Sequence, residues 1–414
     1  MPVLKLAGNE AIKLYGPMSV KVIRGVLDVH GKPVYPGDRF IVHKTRNYVA
    51  IALEGSELDI TMIDESQIQS LDQRDPYLDK RSIVNEICNN SKHRRIVVIG
   101  CADCGKTSLV TLLYNKLLLS HRKPVVIDSD VGQADIGPPG FISMGFSKDP
   151  VYWISELEPL EMRFIGDIKP QGYTHVIISE VKELVERAEK AGFDSIVIDT
   201  DGWVRDESGV LYKVSLLEYV KPDVLIILGD ELKGVFSQLK KLGIIIYEVG
   251  TPYHRKIRTR EERKLLRSMK YREFLENSSL IKLKMDSIYI RGYGLFHGIE
   301  ILPESLSGIV DGRVLYASRL PGTLNIYGYI KSYAISDQKK VEQGKVRVYS
   351  AGFEKGIYCG VGLINGSDYP CVIEKFDFES REIILKTRYS GNVNVVKLSR
   401  IRLTEEFTEE YIEV

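Results

Sequence analysis

A glycine-rich segment at residues 100–107 carries the groups that bind a phosphate chain. Its sequence, Gly100-Cys-Ala-Asp-Cys-Gly105-Lys106-Thr107, fits the pattern G-x-x-x-x-G-K-[ST]. The glycines let backbone N–H groups point at phosphate oxygens, the lysine lies against the β- and γ-phosphates, and the hydroxyl ligates Mg²⁺. We therefore predict a site for ATP or another nucleoside triphosphate, with Thr107 as a metal ligand, made by Gly100, Cys101, Ala102, Asp103, Cys104, Gly105, Lys106, Thr107 and Ser108.

The same segment contains a C-x-x-C pair, Cys101 and Cys104, for which a zinc or redox role is the alternative. No second cysteine or histidine pair lies nearby in the sequence, so we interpret both cysteines as variable positions of the phosphate loop. The five cysteines of the chain are too few and too irregularly spaced for a disulfide framework, which favours a reducing, intracellular setting.

Two carboxylates end the next apolar run, in Asp128-Ser-Asp130-Val-Gly-Gln133. Residues two apart on an extended segment face the same way, so Asp128 and Asp130 can both point at the metal and phosphates. One carboxylate can hold Mg²⁺ and the other can accept a proton from an attacking hydroxyl. A turn with capping aspartates is the structural alternative. No N-K-x-D tetrapeptide follows, which disfavours a conventional GTPase and leaves kinase and ATPase open.

A tryptophan and a basic stretch follow later in the chain. Thr200-Asp-Gly-Trp203 stands at the end of another apolar run, where ligands bind in open α/β sheets. Its indole could stack on a base, or it could be a packing residue of the protein core.

Residues 255–272 hold nine basic residues against two acidic ones, and a helix would place Arg263 and Arg267 on one face. Arginine forks suit phosphate oxygens, although a solvated helix face is the alternative.

The motifs lie between apolar runs and helical patterns. Runs without polar alternation predict parallel strands, covered on both faces, at residues 96–99, 125–127, 195–198, 224–228 and 244–247. Helices are predicted around residues 81–88, 106–121, 178–191, 208–220, 231–241 and 259–275. We predict an α/β fold with a central P-loop NTPase domain, whose sheet is mostly parallel, at residues 89–278. An N-terminal β-rich module with its linker (residues 1–88) and a C-terminal β-rich domain (residues 279–414) flank it.

Composition sets the class of protein. The chain has 414 residues, with 57 Lys and Arg against 56 Asp and Glu, so its net charge is +1 and any nucleic-acid site must be local. With 44% hydrophobic and 27% charged residues, it is typical of a soluble globular protein. No apolar run approaches about 20 residues and no signal peptide is evident, so we predict a cytoplasmic protein without membrane association.

Taken together, the phosphate loop, the D-x-D-x-G-Q segment, the T-x-G-W segment and Arg263-Lys-Leu-Leu-Arg267 resemble the polynucleotide 5′-hydroxyl kinase family. That family includes the kinase subunit of the mRNA 3′-end cleavage machinery and the nucleolar kinase of pre-rRNA processing. It uses a Walker A loop, this Walker B variant, a T-x-G-W "clasp" and an R-x-x-x-R "lid" in the same order. The resemblance is specific over about residues 95–275 and softer in the β-rich flanks.

The resemblance implies a role for each motif residue. Lys106 and Thr107 would bind the ATP phosphates and Mg²⁺, Asp128 would orient or deprotonate the attacking 5′-hydroxyl, and Asp130 would support the metal. Arg263 and Arg267 would close over the transferring phosphoryl group. The residues implied to contact nucleic acid are Gln133, Thr200, Trp203 and Lys169. Lys169 is a departure from the family, whose members often have Ser or Thr before Pro170.

The predicted function is therefore ATP-dependent phosphorylation of the 5′-hydroxyl end of RNA, with DNA as a second candidate acceptor. Mg²⁺ is the expected cofactor, and RNA-processing proteins are candidate partners. A catalytically silent, ATP-bound scaffold of an RNA-processing complex is the main alternative, and a plain ATPase motor is a third. The intact Lys106, Asp128, Trp203 and lid arginines favour the kinase.

Overall fold

The computed structural model describes residues 3–63, 65–72, 74–251, 257–308, 310–333 and 344–412. Arg255 and Lys256, which belong to the predicted basic stretch, lie outside these ranges. The chain forms two units. Unit 1 comprises Met1–Gly137, Ile142–Glu161 and Lys169–Arg260, and unit 2 comprises Pro138–Phe141, Met162–Ile168 and Glu261–Val414. The predicted domain boundaries near residues 88 and 278 stay predictions.

The N-terminal part of unit 1 is rich in β structure, as its alternating runs and glycine turns predict. One sheet has the order β1-β8-β3-β6 and another the order β5-β4-β7-β2-β9. The strands are β1 (Val3–Leu6), β2 (Ala11–Tyr15), β3 (Met18–Arg24), β4 (Leu27–Val29), β5 (Lys32–Val34), β6 (Arg39–Val42), β7 (Asn47–Ala52), β8 (Ser56–Met62) and β9 (Gln67–Ser70). Helix α1 (Pro76–Cys88) follows; it begins with a proline, and the side chain of its N-cap Asp75 accepts the backbone N–H of Tyr77.

His30 makes the N-terminal part sensitive to acid. Its ring is 1% exposed and lies among the rings of Tyr48, Tyr77 and Trp153. This burial lowers the pKa of His30 from 6.5 to about 4. Between these two values the unfolded chain takes up a proton that the folded chain does not, so stability falls as the pH falls.

We expect acidification from about pH 6.5 to about pH 4 to cost roughly 3 kcal/mol of stability through this group. His30 has a left-handed backbone (φ 47°), which asparagine tolerates, so H30N removes the titration without adding backbone strain. Urea unfolding of both proteins across this pH range measures the effect. Parallel curves of stability against pH would contradict it.

A seven-stranded central sheet, most of whose residues belong to unit 1, positions the predicted motifs. Its order is β13-β12-β11-β14-β10-β15-β16, in which β11, β14, β10, β15 and β16 run parallel and β12 is antiparallel to β11. The strands are β10 (Arg95–Gly100), β11 (Pro124–Asp128), β12 (Phe141–Phe146), β13 (Glu158–Phe164), β14 (Ser195–Asp199), β15 (Val224–Leu228) and β16 (Ile245–Val249). Every residue of β11, β14 and β15 is buried, which agrees with the predicted parallel strands covered on both faces. The prediction of cover on both faces is wrong for the run at 244–247, because β16 ends the sheet order and only Val249 of its residues is buried.

The helices agree with the sequence patterns at all predicted positions except one. Besides α1, the observed helices are α2 (Lys106–Leu119), α3 (Thr174–Lys190), α4 (Glu207–Val220) and α5 (Arg260–Leu275). The helix predicted over residues 231–241 is wrong: the structure has short 3₁₀ segments, Asp230–Leu232 and Ser237–Leu242. Gly234 lies between them with φ +77°, a conformation that interrupts a right-handed helix.

Unit 2 contains α5 and the C-terminal β-rich part. One sheet has the order β17-β25-β24-β23-β26-β18, with β27 paired to β26, and another has the order β19-β20-β21-β22. The strands are β17 (Ser279–Lys284), β18 (Tyr289–Arg291), β19 (Ile299–Ile301), β20 (Val310–Leu320), β21 (Thr323–Tyr333), β22 (Lys345–Ser350), β23 (Ile357–Gly362), β24 (Asp368–Asp377), β25 (Glu382–Thr387), β26 (Val395–Leu403) and β27 (Glu409–Tyr411). Tyr271 of α5 packs edge to face on Tyr358 of β23, so α5 is fixed to this sheet.

Four cysteines are paired, which differs from the expectation that the cysteines form no disulfide framework. Cys101 bonds to Cys104 within the phosphate loop, and Cys359 bonds to Cys371. The latter two oppose each other in the register of β23 and β24, a pairing that cysteine spacing alone does not reveal.

The helices of the described ranges are too short or too polar to cross a membrane.

Candidate active site

The phosphate loop joins β10 to α2, as the motif requires. Gly105 is the N-cap of α2 and has a left-handed backbone (φ +85°), which glycine adopts without strain. At the other end of the loop, a Cβ on Gly100 would lie 2.7 Å from the carbonyl oxygen of Leu228 in the neighbouring β15. Both glycines are therefore needed for the shape of the loop, and the open N-terminus of α2 is available to an anion.

Lys106 and Thr107, the first residues of α2, carry the functional groups of the loop. Lys106 is 7% exposed, and its Nζ donates to the carbonyl oxygen of Cys101 at 3.0 Å. The carboxylates of Asp130 and Asp199 interact electrostatically with this ammonium. A phosphate chain in the loop would bring Lys106 a stronger anionic partner than a backbone carbonyl.

Asp199 is a site residue to which the sequence analysis assigned no role. It ends β14, and its Oδ2 accepts the hydroxyl hydrogen of Thr107 at 2.9 Å. Its Oδ1 is buried and has no hydrogen-bond partner among the described residues. Burial, together with Asp130 and Asp135, raises the pKa of Asp199 to about 7. The signal in the sequence was an apolar strand that ends in aspartate, next to the strand that leads into the phosphate loop.

A divalent cation fits the donors around Asp199. A buried carboxylate oxygen without a partner costs free energy unless an ion, a proton or water satisfies it. Mg²⁺ prefers carboxylate and hydroxyl oxygens, and Thr107 and Asp199 present both on adjacent elements. Asp130, the residue predicted to support the metal, is one of the charged groups that act on Asp199.

Asp128 and Asp130 are brought to the same cluster, as their spacing predicts. Asp128 is 2% exposed and accepts backbone N–H groups of Asp130, Asp135 and Ile136 at 3.2, 2.7 and 3.1 Å. Burial and the charges of Asp199, Asp135 and Asp130 raise the pKa of Asp128 well above its usual range. Asp130 accepts the N–H groups of Gly132 and Gln133, and burial raises its pKa as well.

The segment after β14 lies directly on the phosphate loop. A Cβ on Gly202 would lie 2.6 Å from the backbone nitrogen of Ala102, so only glycine permits this contact. Thr200 is fully buried, and its hydroxyl donates to the carbonyl oxygen of Val98 in β10 at 2.8 Å. In this structure, the Thr200 side chain is therefore hydrogen-bonded to the central sheet and does not face solvent, where nucleic acid would bind.

Trp203 is half-buried and held from several sides. Its indole N–H donates to the Asp206 carboxylate at 2.7 Å, and its ring centroid lies 6.0 Å from that of Tyr212. Its backbone N–H donates to Asp201, which also forms an ion pair of 2.6 Å with the fully buried Lys213. Asp201 occupies the x of the T-x-G-W pattern, and its buried ion pair with Lys213 shows that this position helps to fix the clasp.

The remaining predicted residues lie on different parts of the chain. Gln133 is partly buried and its amide donates to the Gly132 carbonyl oxygen, while Lys169 is exposed. In unit 2, Arg263 and Arg267 lie on α5, where Arg267 binds Glu409 of β27 at 2.6 Å. Their closure over a phosphoryl group stays a prediction.

In unit 1, the backbone N–H of Arg258 donates to the Asp103 carboxylate of the phosphate loop, a contact that the sequence did not reveal.

A strand, a glycine-rich loop and a helix, with a lysine and a hydroxyl near buried carboxylates, define a P-loop nucleotide-binding protein. Residues 100–277 match the family model described as "mRNA cleavage and polyadenylation factor CLP1 P-loop". The curated polyribonucleotide 5′-hydroxyl-kinase of Thermococcus kodakarensis is 31% identical over 341 residues, which cover 80% of this chain and 94% of the relative. The chain belongs to the polyribonucleotide 5′-hydroxyl-kinase family.

Further relatives agree with this assignment. The polyribonucleotide 5′-hydroxyl-kinase of Methanocaldococcus jannaschii is 29% identical over 348 residues, covering 80% of this chain and 93% of that protein. Among solved structures, wild-type Clp1p from its complex with Pcf11p has a TM-score of 0.62 at 12% identity, and the match covers 97% of each chain. The fold is therefore shared with Clp1p well beyond the phosphate loop.

Proposed function

We propose that this protein transfers the γ-phosphate of ATP to the 5′-hydroxyl end of RNA. The observation that carries the proposal is the set of groups assembled within unit 1. Lys106 and Thr107 of the phosphate loop face the carboxylates of Asp130 and Asp199, and Asp128 belongs to the same charge cluster. The family to which the chain belongs, and the curated names of its relatives, support the same activity.

The proposed reaction is an in-line displacement at phosphorus. The 5′-oxygen of the acceptor forms a bond to the γ-phosphorus, the bond from this phosphorus to the β,γ-bridging oxygen breaks, and ADP leaves. Asp128 accepts the proton of the attacking hydroxyl; its raised pKa makes it a better proton acceptor than an ordinary carboxylate. Lys106 offsets negative charge on the β- and γ-phosphates. Thr107 and Asp199, with support from Asp130, would hold Mg²⁺, which when bound would supply further charge neutralisation.

Recognition of the acceptor is assigned to the clasp and to neighbouring polar groups. Trp203 presents a half-buried indole that is fixed by Asp206 and Tyr212, so a terminal base could stack on it at low entropic cost. Gln133 and Lys169 are the further proposed contacts to nucleic acid, whereas Thr200 is proposed to position the clasp. Arg263 and Arg267 are proposed to close over the phosphoryl group. We further propose that the protein uses ATP and Mg²⁺, is cytoplasmic and acts with RNA-processing protein partners.

A transfer assay tests the proposal. The purified protein is incubated with ATP labelled in its γ-phosphate and with RNA or DNA oligonucleotides that carry a 5′-hydroxyl. We expect label on RNA ends, and none on oligonucleotides that already carry a 5′-phosphate. ATP binding without transfer would instead support the scaffold, and hydrolysis stimulated by nucleic acid without labelled oligonucleotide would support an ATPase motor. Either outcome would overturn the proposal.

Replacing Asp199 with asparagine is expected to weaken the apparent affinity for Mg²⁺ by about 10- to 100-fold. Asparagine keeps an oxygen for the Thr107 hydroxyl but loses the negative charge that the cation needs. The dependence of the transfer rate on Mg²⁺ concentration measures the change, with D149N, at an exposed aspartate, as the matched control. An unchanged Mg²⁺ dependence in D199N would exclude this role for Asp199.

A further inference from the structure

Lys80 is a buried lysine that the motifs do not explain. It lies in α1 and is 3% exposed, yet its ammonium makes no hydrogen bond or ion pair within the described parts of the chain. Lysine is almost never buried to this extent unless its charge is paired, because the charge loses its hydration. Lys80 Nζ is not one of the fully enclosed atoms without a partner, so water or a partner from outside the protein can reach it.

The ammonium of Lys80 points at the phosphate loop. A Cβ built on Gly105 would lie 3.2 Å from Nζ of Lys80 and 3.6 Å from the hydroxyl oxygen of Ser108. Gly105 caps α2, and Ser108 belongs to the first turn of that helix. Lys80 therefore approaches the end of the loop where the backbone N–H groups of α2 are open to an anion.

Lys80 lies near one carboxylate and one other ammonium. Among the described residues, the charged groups that act on it are the carboxylate of Asp75 and the ammonium of Lys13, which is itself only 7% exposed. One oxygen of Asp75 is already occupied by the N–H of Tyr77. Burial and the Lys13 charge lower the pKa of Lys80 to about 8, so it still carries a proton at neutral pH. A phosphate oxygen would supply the hydrogen-bond acceptor that the Lys80 ammonium lacks among the described residues.

We propose that Lys80 is a further phosphate-binding residue of the nucleotide site, which reaches from α1 to the phosphate chain held by residues 100–107. The proposal rests on the proposed use of ATP and extends it, because the lysine comes from outside the Walker A motif. Lys80 would donate a charge-assisted hydrogen bond to a phosphate oxygen, and that contact would satisfy its ammonium. Helix α1 would thereby become part of the nucleotide site.

Replacement of Lys80 by methionine tests the assignment, since methionine keeps the length of the side chain and removes its charge. We expect K80M to bind ATP about 10- to 100-fold more weakly than the wild type, which corresponds to the loss of one charge-assisted hydrogen bond. Without nucleotide, K80M should be as stable as the wild type or more stable, because a buried charge without a partner has been removed. Calorimetric titration with ATP and thermal unfolding of the full chain measure both, and K92M, at an exposed lysine just beyond α1, is the control.

Opposite changes in ATP affinity and in the stability of the nucleotide-free protein are what set this role apart from a structural one. Wild-type ATP affinity in K80M would overturn the inference. Loss of stability in the nucleotide-free K80M would overturn it as well, because Lys80 would then be a structural partner of Asp75. Failure of the wild-type protein itself to bind ATP would instead refute the proposed function, and this inference with it.

Discussion

Replacing Lys106 with alanine is expected to lower the rate of phosphoryl transfer by about a thousand-fold or more, since it removes a fixed charge aimed at the transferring phosphate. Lys106 is buried, its Nζ donates to the Cys101 carbonyl oxygen, and it interacts electrostatically with the carboxylates of Asp130 and Asp199. The low dielectric of such a place strengthens its interaction with phosphate. Single-turnover transfer to a 5′-hydroxyl RNA measures the effect.

The control for K106A is K123A, at an exposed lysine in the turn that follows α2. Both variants should keep the wild-type circular dichroism spectrum, because the backbone of the loop is shaped by its glycines and not by the lysine. We expect K123A to retain full activity. A rate for K106A within a few-fold of the wild type would remove the phosphate loop from the proposed chemistry.

Local patterns in the sequence predicted the central sheet and the phosphate loop. Uninterrupted apolar runs separated by helical patterns favour strands covered on both faces, and the loop motif fixes where one strand must end and a helix must begin. The error at residues 231–241 has a local cause too. The apolar spacing there fits a helix, but Gly234 takes a left-handed backbone, which periodicity alone does not detect.

Contacts between distant residues could not be predicted in this way. Asp199 bonds to Thr107 because β14 lies between β11 and β10, an order that one sequence does not specify. Lys80 reaches Gly105 only once α1 has packed on α2, and Arg267 meets Glu409 only through the C-terminal strand β27. The sequence thus predicted the type of chemistry, while the partners of each charged group depended on the arrangement of the sheets and helices.

Replacing Asp128 with asparagine is the second change for which we expect a large effect, a decrease in transfer of about a hundred- to ten-thousand-fold, because an amide cannot accept the proton of the 5′-hydroxyl. ATP affinity should change little, since no contact of Asp128 reaches the phosphate loop among those described. D130N is the comparison; it should alter Mg²⁺ dependence more than the proton-transfer step.

Stability should move in the opposite direction to activity. The raised pKa of Asp128 means that its ionised form is disfavoured in the folded protein, by burial and by Asp199, Asp135 and Asp130. Between the usual pKa of an aspartate and its raised value in the fold, the folded state holds a proton that the unfolded chain releases, so stability falls as the pH rises through this window. Above the window Asp128 is ionised in both states and can accept a proton. D128N removes this cost, so we expect its thermal stability at neutral pH to equal or exceed that of the wild type, despite the loss of one N–H acceptor. An inactive D128N that is also strongly destabilised would make Asp128 a structural residue of the 130–136 turn, and near-normal turnover in a stable D128N would require another proton acceptor.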